Sequence, residues 1–332
     1  MKKQITFILP TKNRVVLLNS FLKNIYKNFN KLNPKYVIVD ASNEQNHSQN
    51  KLNLKKYKNI RIIRQKTKGI QMGCIEAISL VHTKFATFLY DDDVMGKHVK
   101  DIYLKNLSNP NIFSLGCGKV ESIKKKIDFT KLSYLTINKD DLLSCYYGSS
   151  FKKLLQSNEI NGKYSLPVSP ICTSFAKSFL FKWKKILFEF VKNNNFRKFV
   201  FFERDVGPDL LLYLMSIDDS FKKINFFYPY SVKFSSHDNS ISIIYGNSFL
   251  RIGYWLARVC FFNISKFENN SQKNKHYSYL ITIGIYLIFL NLLNFYYFKN
   301  ICKEVWRLIK LPNKFSIKFF CTYTYRKILH DY

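Results

Sequence analysis

The sequence predicts an α/β protein: a mixed, mostly parallel sheet flanked by helices, followed by a helical C-terminal extension. Three observations predict it. Short apolar runs alternate with stretches of helical periodicity as far as Tyr90, the rhythm of parallel strands joined by crossovers. The distinctive polar residues fall just past the ends of those runs, at Thr11 to Arg14, Asp40 to Ser42 and Asp91 to Asp93. Parallel sheets bind their ligands at that edge. Beyond about Ile244 the composition changes, with thirteen basic residues facing three acidic ones.

The elements follow in order. Ile5 to Leu9 reads as a buried strand stopped by Pro10, and not as the core of a signal peptide, so the chain is expected to stay in the cytoplasm. Val15, Leu18, Leu22, Ile25 and Phe29 recur at helical spacing. Tyr36 to Val39 is a second strand closed by Asp40. Ser42 to Lys58 is polar and reads as loop with at most a short helix. Ile60 to Ile63 and Phe85 to Tyr90 are the next strands, with a helix over Ile70 to Val81 between them. From about 100 to 165 no period dominates. Leu166 to Pro170 is a shaped loop. Phe179 to Phe202 is basic, aromatic and helical at first. Asp209 to Ile217 is a helix introduced by Gly207 and Pro208. Ile224 to Phe234 is strand-like.

Composition narrows the class. A chain of 332 residues with 47% apolar content can bury a large core and is not disordered. Its formal charge of +31 draws polyanions: nucleic acid, an anionic membrane or a phosphorylated substrate. Seven cysteines without a CxxC pair suggest reduced thiols, with neither a disulfide framework nor a zinc site. Zinc-finger spacing and RNA-binding aromatic motifs are absent from the sequence, so nucleic acid is not the expected partner.

The sharpest local signal is Phe88-Leu-Tyr-Asp-Asp-Asp93. Carboxylates crowded at a strand end repel one another unless a cation lies between them. Mg²⁺ or Mn²⁺ suits oxygen donors and leaves positions open for phosphate. If the chain stays extended, Asp91 and Asp93 share one side and Asp92 takes the other. The plainer alternative is a solvated acidic turn.

Phe7-Ile-Leu-Pro-Thr-Lys-Asn-Arg14, Val37-Ile-Val-Asp-Ala-Ser42 and Phe85-Ala-Thr-Phe-Leu-Tyr-Asp-Asp-Asp93, in that order, resemble the nucleotide-sugar domain of family-2-type glycosyltransferases. The resemblance covers roughly Lys3 to Ser242 and implies the A-type fold of those enzymes. It implies that Pro10, Thr11 and Arg14 touch the nucleotide and that Asp40 accepts a hydrogen bond from the base, commonly uracil. It also implies that Asp91 to Asp93 is the DxD motif: Asp91 and Asp92 toward the nucleotide sugar, Asp93 toward a Mn²⁺ or Mg²⁺ ion. Where such enzymes often carry an Arg-Asn pair, this chain has Gly73-Cys74-Ile75, and Lys68 is the candidate to replace the missing charge. Asp209 matches the catalytic base, with Pro208 where an acid is usual and with Glu203 and Asp205 as rivals. Phe234 to Ser242 resembles a late loop whose histidine, here His237, ligates metal or meets phosphate.

The resemblance therefore implies sugar transfer from a nucleoside-diphosphate sugar, with UDP-sugar favoured, to a saccharide or lipid-linked acceptor, inversion being the expected stereochemistry. A bacterial surface-glycan pathway is plausible by analogy. A basic nucleic-acid-binding protein and an inactive membrane scaffold are the alternatives. We expect residues 1–243 to form the catalytic domain and 244–332 a basic, aromatic, membrane-associating extension. Tyr277 to Phe298 holds no charged residue over 22 positions. It is long enough to cross a bilayer, to lie in the interface or to pack as a bundle helix, and Asn291 and Asn294 favour the last two. The tail from Lys299 mixes aromatics with Lys and Arg, as segments on anionic membranes do, so the expected site of action is the inner face of the cell membrane.

Overall fold

The computed structural model describes residues 5–29, 32–109, 112–122, 124–160, 164, 166–167, 169–219, 223–236, 246–267 and 269–313. Strands β1 (Ile5–Thr11), β2 (Lys35–Asp40), β3 (Ile60–Arg64) and β4 (Phe85–Phe88) alternate with helices α1 (Val15–Phe29), α2 (Glu44–Leu54) and α3 (Ile70–Ile78). The four strands are parallel. A short β8 (Phe175–Ala176) closes one edge antiparallel, giving the order β3-β2-β1-β4-β8.

The middle of the chain, where the sequence shows no dominant period, folds as β5 (Val94–Met95), α4 (Val99–Ser108), β6 (Phe113–Ser122), β7 (Ser133–Asn138), α5 (Lys139–Tyr146) and α6 (Phe151–Gln156). After β8 come α7 (Lys177–Val191), α8 (Asn195–Lys198), a π-helical turn over Phe199–Glu203, α9 (Pro208–Asp219) and β9 (Lys223–Ser236). Strand β9 is the spine of a second sheet. Its first half pairs with β6 and β7 and its second half with β6 and β5.

Alternation along β1 explains the layers. Ile5, Phe7 and Leu9 face one apolar core with Leu18, Phe21, Leu22 and Ile25 of α1 and Tyr103 of α4. Ile8 faces the other, with Cys74 and Ile78 of α3, Trp183 of α7 and Leu211 of α9. Successive side chains of a strand point to opposite faces, and a parallel sheet is covered on both.

Three helices follow: α10 (Gly246–Ile264), α11 (Asn270–Leu290) and α12 (Phe295–Ile309). They share the second core: Trp255, Leu280 and Val305 belong to the same buried cluster as Leu211. Helix α10 meets the loop before α9 backbone to backbone. Gly207 has φ +110°, and a Cβ there would lie 2.5 Å from the Gly253 carbonyl oxygen. Only glycine satisfies both conditions.

The uncharged stretch Tyr277 to Phe298 is not one helix. Asn291 ends α11, and Asn294 starts α12 by accepting from the Tyr297 N–H at 3.2 Å. Among the described residues no helix is long and apolar enough to cross a membrane. Tyr277, Leu280, Ile281 and Leu287 are buried, so the first part of the stretch packs as a bundle helix.

Candidate active site at the carboxyl edge of the sheet

Register brings the separate motifs together. Thr11 is paired with Asp40 across β1 and β2, and Ile8 with Phe88 across β1 and β4. The loops after β1, β2 and β4 therefore leave the sheet side by side.

Strand β4 ends at Phe88, and Asp91 to Asp93 form a turn in which the Asp93 N–H donates to the Tyr90 carbonyl at 3.3 Å. The extended alternation expected from the sequence fails here, because the chain turns once its pairing with β1 stops. Asp91 and Asp92 instead share one cation. Arg14 Nη1 donates to Asp91 Oδ1 at 2.9 Å and to Asp92 Oδ2 at 2.8 Å. Thr11 Oγ1 donates to Asp91 Oδ2 at 2.6 Å. Asp93 accepts from the Ser235 N–H of β9, at 3.2 Å. Pro10 is buried within β1 and does not stop it: the strand pairs with β2 through Thr11.

Three carboxylates thus face one guanidinium. Burial pushes the Asp91 carboxyl up despite its bonds to Thr11 and Arg14. Burial and then Asp92 push Asp93 well above the usual carboxylate range. Burial pulls the Arg14 guanidinium down, but Asp92 and Asp91 outweigh it and the net direction is up. No group of three or more His, Cys, Asp and Glu that could hold a metal by itself exists among the described residues. The donors do suit an ion completed by other ligands. They are hard oxygens, desolvated and short of positive charge, which is what a divalent cation bound partly by phosphate requires. Ser235 lies two positions before His237, and His237 is outside the described residues.

Asp40 is bonded within the protein. It is fully buried, and both oxygens are engaged. Oδ1 accepts from the Ser42 N–H at 2.8 Å, and Oδ2 meets His47 Nδ1 and Asn50 Nδ2, each at 2.9 Å. Burial works to raise its pKa, but the bonds from Ser42, Asn50 and His47 prevail and lower it. In this arrangement the carboxylate holds the loop from Ala41 to Asn43. That loop is tied to the first one through Asn13. Its N–H donates to Ser42 Oγ at 2.7 Å, and its Oδ1 accepts from the Asn43 N–H at 2.9 Å, with φ at +54°. Asn tolerates that left-handed backbone better than most residues, a local signal that sequence reading passed over.

The candidates for the base separate. Asp205 accepts from the Ile70 and Gln71 N–H groups, both at 2.9 Å, and so caps α3. Glu203 is exposed on the π-helical turn. Asp209, in the first turn of α9, accepts from the neighbouring Leu210 N–H at 2.9 Å. Burial pushes its carboxyl up to about 6. Tyr90, absent from the residues expected to act, links the two acidic regions. Burial raises its hydroxyl pKa, and after it Cys74, Asp209 and Asp93. Lys68 is exposed on the loop before α3 and makes no ion pair among the described residues.

No protein-family model and no curated protein matches the chain. Solved structures do. The crystal structure of S. aureus TarS 1-349 aligns with a TM-score of 0.57 at 13% identity, covering 92% of this chain and 81% of its own. The same protein in complex with UDP-GlcNAc gives 0.54 at 15% identity, covering 86% and 80%. Its complex with UDP gives 0.53 at 14%, covering 83% and 70%. Likeness at such identities is likeness of fold, and the fold found is the A-type architecture expected from the sequence.

Proposed function

We propose that the chain is a divalent-cation-dependent glycosyltransferase that moves a sugar from a nucleoside diphosphate, UDP-sugar in first place, to a hydroxyl of a saccharide or lipid-linked acceptor. One observation carries the reading. Thr11 and Arg14 from the β1 loop converge with Asp91, Asp92 and Asp93 from the β4 loop at the carboxyl edge of the parallel sheet. The shared fold with a protein crystallised with UDP-GlcNAc supports it.

Each residue then has a task. Asp93, with Asp91 beside it, would hold the Mn²⁺ or Mg²⁺ ion, with His237 as its candidate partner. When bound, that ion supplies positive charge to the departing diphosphate. Arg14 keeps Asp91 and Asp92 in place and offers its remaining N–H groups to phosphate. Asp40 is a positioning residue: it fixes the Ala41–Asn43 backbone, against which the nucleoside rests. Lys68 adds charge at the mouth of the site.

Asp209 is the base. With a pKa of about 6 it is mostly ionised at neutral pH yet still able to take a proton. The acceptor oxygen attacks the anomeric carbon as Asp209 removes its proton. The bond from that carbon to the diphosphate oxygen breaks, and the diphosphate leaves with the electron pair. A base on the side opposite the leaving group gives inversion.

The test is a panel of nucleotide sugars, scored for Mn²⁺-dependent binding and for hydrolysis or transfer. One donor should stand out, and Asp93→Ala should remove the metal-dependent part. Full turnover by that variant would overturn the assignment.

A further inference from the structure

The outer face of the C-terminal helices is apolar and cationic at once. Eight of the eighteen large apolar side chains exposed among the described residues lie between Phe289 and Ile309. Phe289, Leu290, Leu292, Leu293, Phe295 and Tyr296 form the tip where α11 passes into α12, and Leu293 is fully exposed. The face continues along α12 through Lys299, Lys303, Trp306 and Lys310, at helical spacing. Lys299 lies 5.9 Å from the Phe295 ring centre and Lys310 5.3 Å from that of Trp306.

The acid of α12 is missing from that face. Glu304 is buried, held by Arg197 at 2.5 Å and Arg307 at 2.6 Å. The exposed side of α12 therefore presents aromatic, aliphatic and cationic groups with no carboxylate. This composition discriminates among occupants. A second copy docked through the same patch would set lysine against lysine, since two-fold contacts are self-complementary. Nucleic acid would use the lysines and leave the Leu292–Phe295 tip in water. An anionic bilayer satisfies both parts: the tip enters the boundary of the acyl chains, and the lysines stay at phosphate level. A spanning mode is ruled out for the described helices.

We propose that the tip between α11 and α12, with the outward face of α12, docks this protein onto an anionic lipid bilayer without crossing it. The inference rests on this face alone and is independent of the transfer reaction. It confines the membrane contact to the last part of Tyr277 to Phe298 and to α12, the first part of that stretch being committed to the core.

The chain provides its own reporter. Trp183 and Trp255 are buried (0% and 1% exposed) and Trp306 is 59% exposed, so a lipid-induced change in tryptophan emission reads Trp306. The full chain is mixed with vesicles of phosphatidylcholine, with and without phosphatidylglycerol. We expect a blue shift and co-sedimentation with the anionic vesicles, both weakened by salt. The double variant Leu292→Ser, Leu293→Ser should lose the shift at unchanged thermal stability. The triple variant Lys299→Glu, Lys303→Glu, Lys310→Glu should bind anionic vesicles roughly tenfold or more weakly, since each basic residue near such a surface contributes about 1 kcal/mol. An unshifted Trp306 in the presence of anionic vesicles would overturn the proposal. So would equal binding by the serine variant, or a concentration-dependent dimer that the same substitutions dissolve.

Discussion

At the scale of single residues, the chemistry turns on carboxylates whose surroundings differ. Asp40 is bonded by Ser42, His47 and Asn50, Asp205 caps a helix, and Asp209 is bonded by backbone N–H groups at the start of its own helix. The last is the one whose protonation can report on a reaction. Its pKa of about 6 exceeds the usual carboxylate value because burial disfavours the charged form. The base must be ionised to act, so kcat/KM should rise with pH through about 6 and level off above it. Asp209→Asn should remove that limb and lower kcat by roughly 10²- to 10⁴-fold, with the unfolding temperature little changed. A pH profile that keeps its acid limb in the variant would move the base elsewhere. The sequence made Asp91 to Asp93 legible because three acids past an apolar run have few structural uses. It marked Asp40 as special but hid its partners, since His47 and Asn50 come from a helix without an apolar stripe. That helix, α2, buries only His47, Asn50 and Leu54, so its polar sequence reads as loop.

At the scale of elements, the strongest periods match the structure closely. Val15–Phe29 is a helix that buries Leu18, Leu22, Ile25 and Phe29 of the expected stripe, together with Phe21, and Ile60 to Ile63 lies within β3. The stretch from 100 to 165 resisted because β6 and β7 get their partner, β9, from about a hundred residues further along. No local pattern encodes such a pairing. The break between α11 and α12 was written in the chain as Asn291 and Asn294, residues that cap helices more readily than they extend them. What then fixes α12 against the body is Glu304. It accepts from Asn194 at 2.8 Å and from Arg197 and Arg307, and it is buried. Removing one member of a buried ion pair leaves the others uncompensated, at about 3–5 kcal/mol. Glu304→Ala should therefore destabilise the fold by roughly 3 kcal/mol in denaturant titration, and Glu304→Gln by less, because it keeps an acceptor for Asn194. A loss under about 1 kcal/mol for the alanine variant would mean that apolar packing alone seats α12.

At the scale of the molecule, a protein of net charge +31 holds three carboxylates together in one turn. One arginine bridges Asp91 and Asp92, and Asp93 accepts from the Ser235 N–H. The consequence is a linkage between pH, cation and stability. Asp91 and Asp93 have folded pKa values above their ordinary range, so the folded state binds protons more tightly than the unfolded state. Stability from these groups is greatest in acid and falls as pH rises from the ordinary carboxylate range through their raised values. The whole chain also loses positive charge over that interval, so the measurement has to be a difference. Unfolding temperatures of wild type and Asp93→Asn are compared from pH 4 to pH 7 without divalent metal. The variant should gain on the wild type as pH rises, reaching an advantage on the order of 1 kcal/mol at neutral pH. Mn²⁺ should then stabilise the wild type and not the variant, because an ion bound only by the folded state adds stability in proportion to the logarithm of its concentration. A constant difference across pH, or equal stabilisation of both proteins by Mn²⁺, would show that the acidic turn is neither strained by its charges nor relieved by a cation.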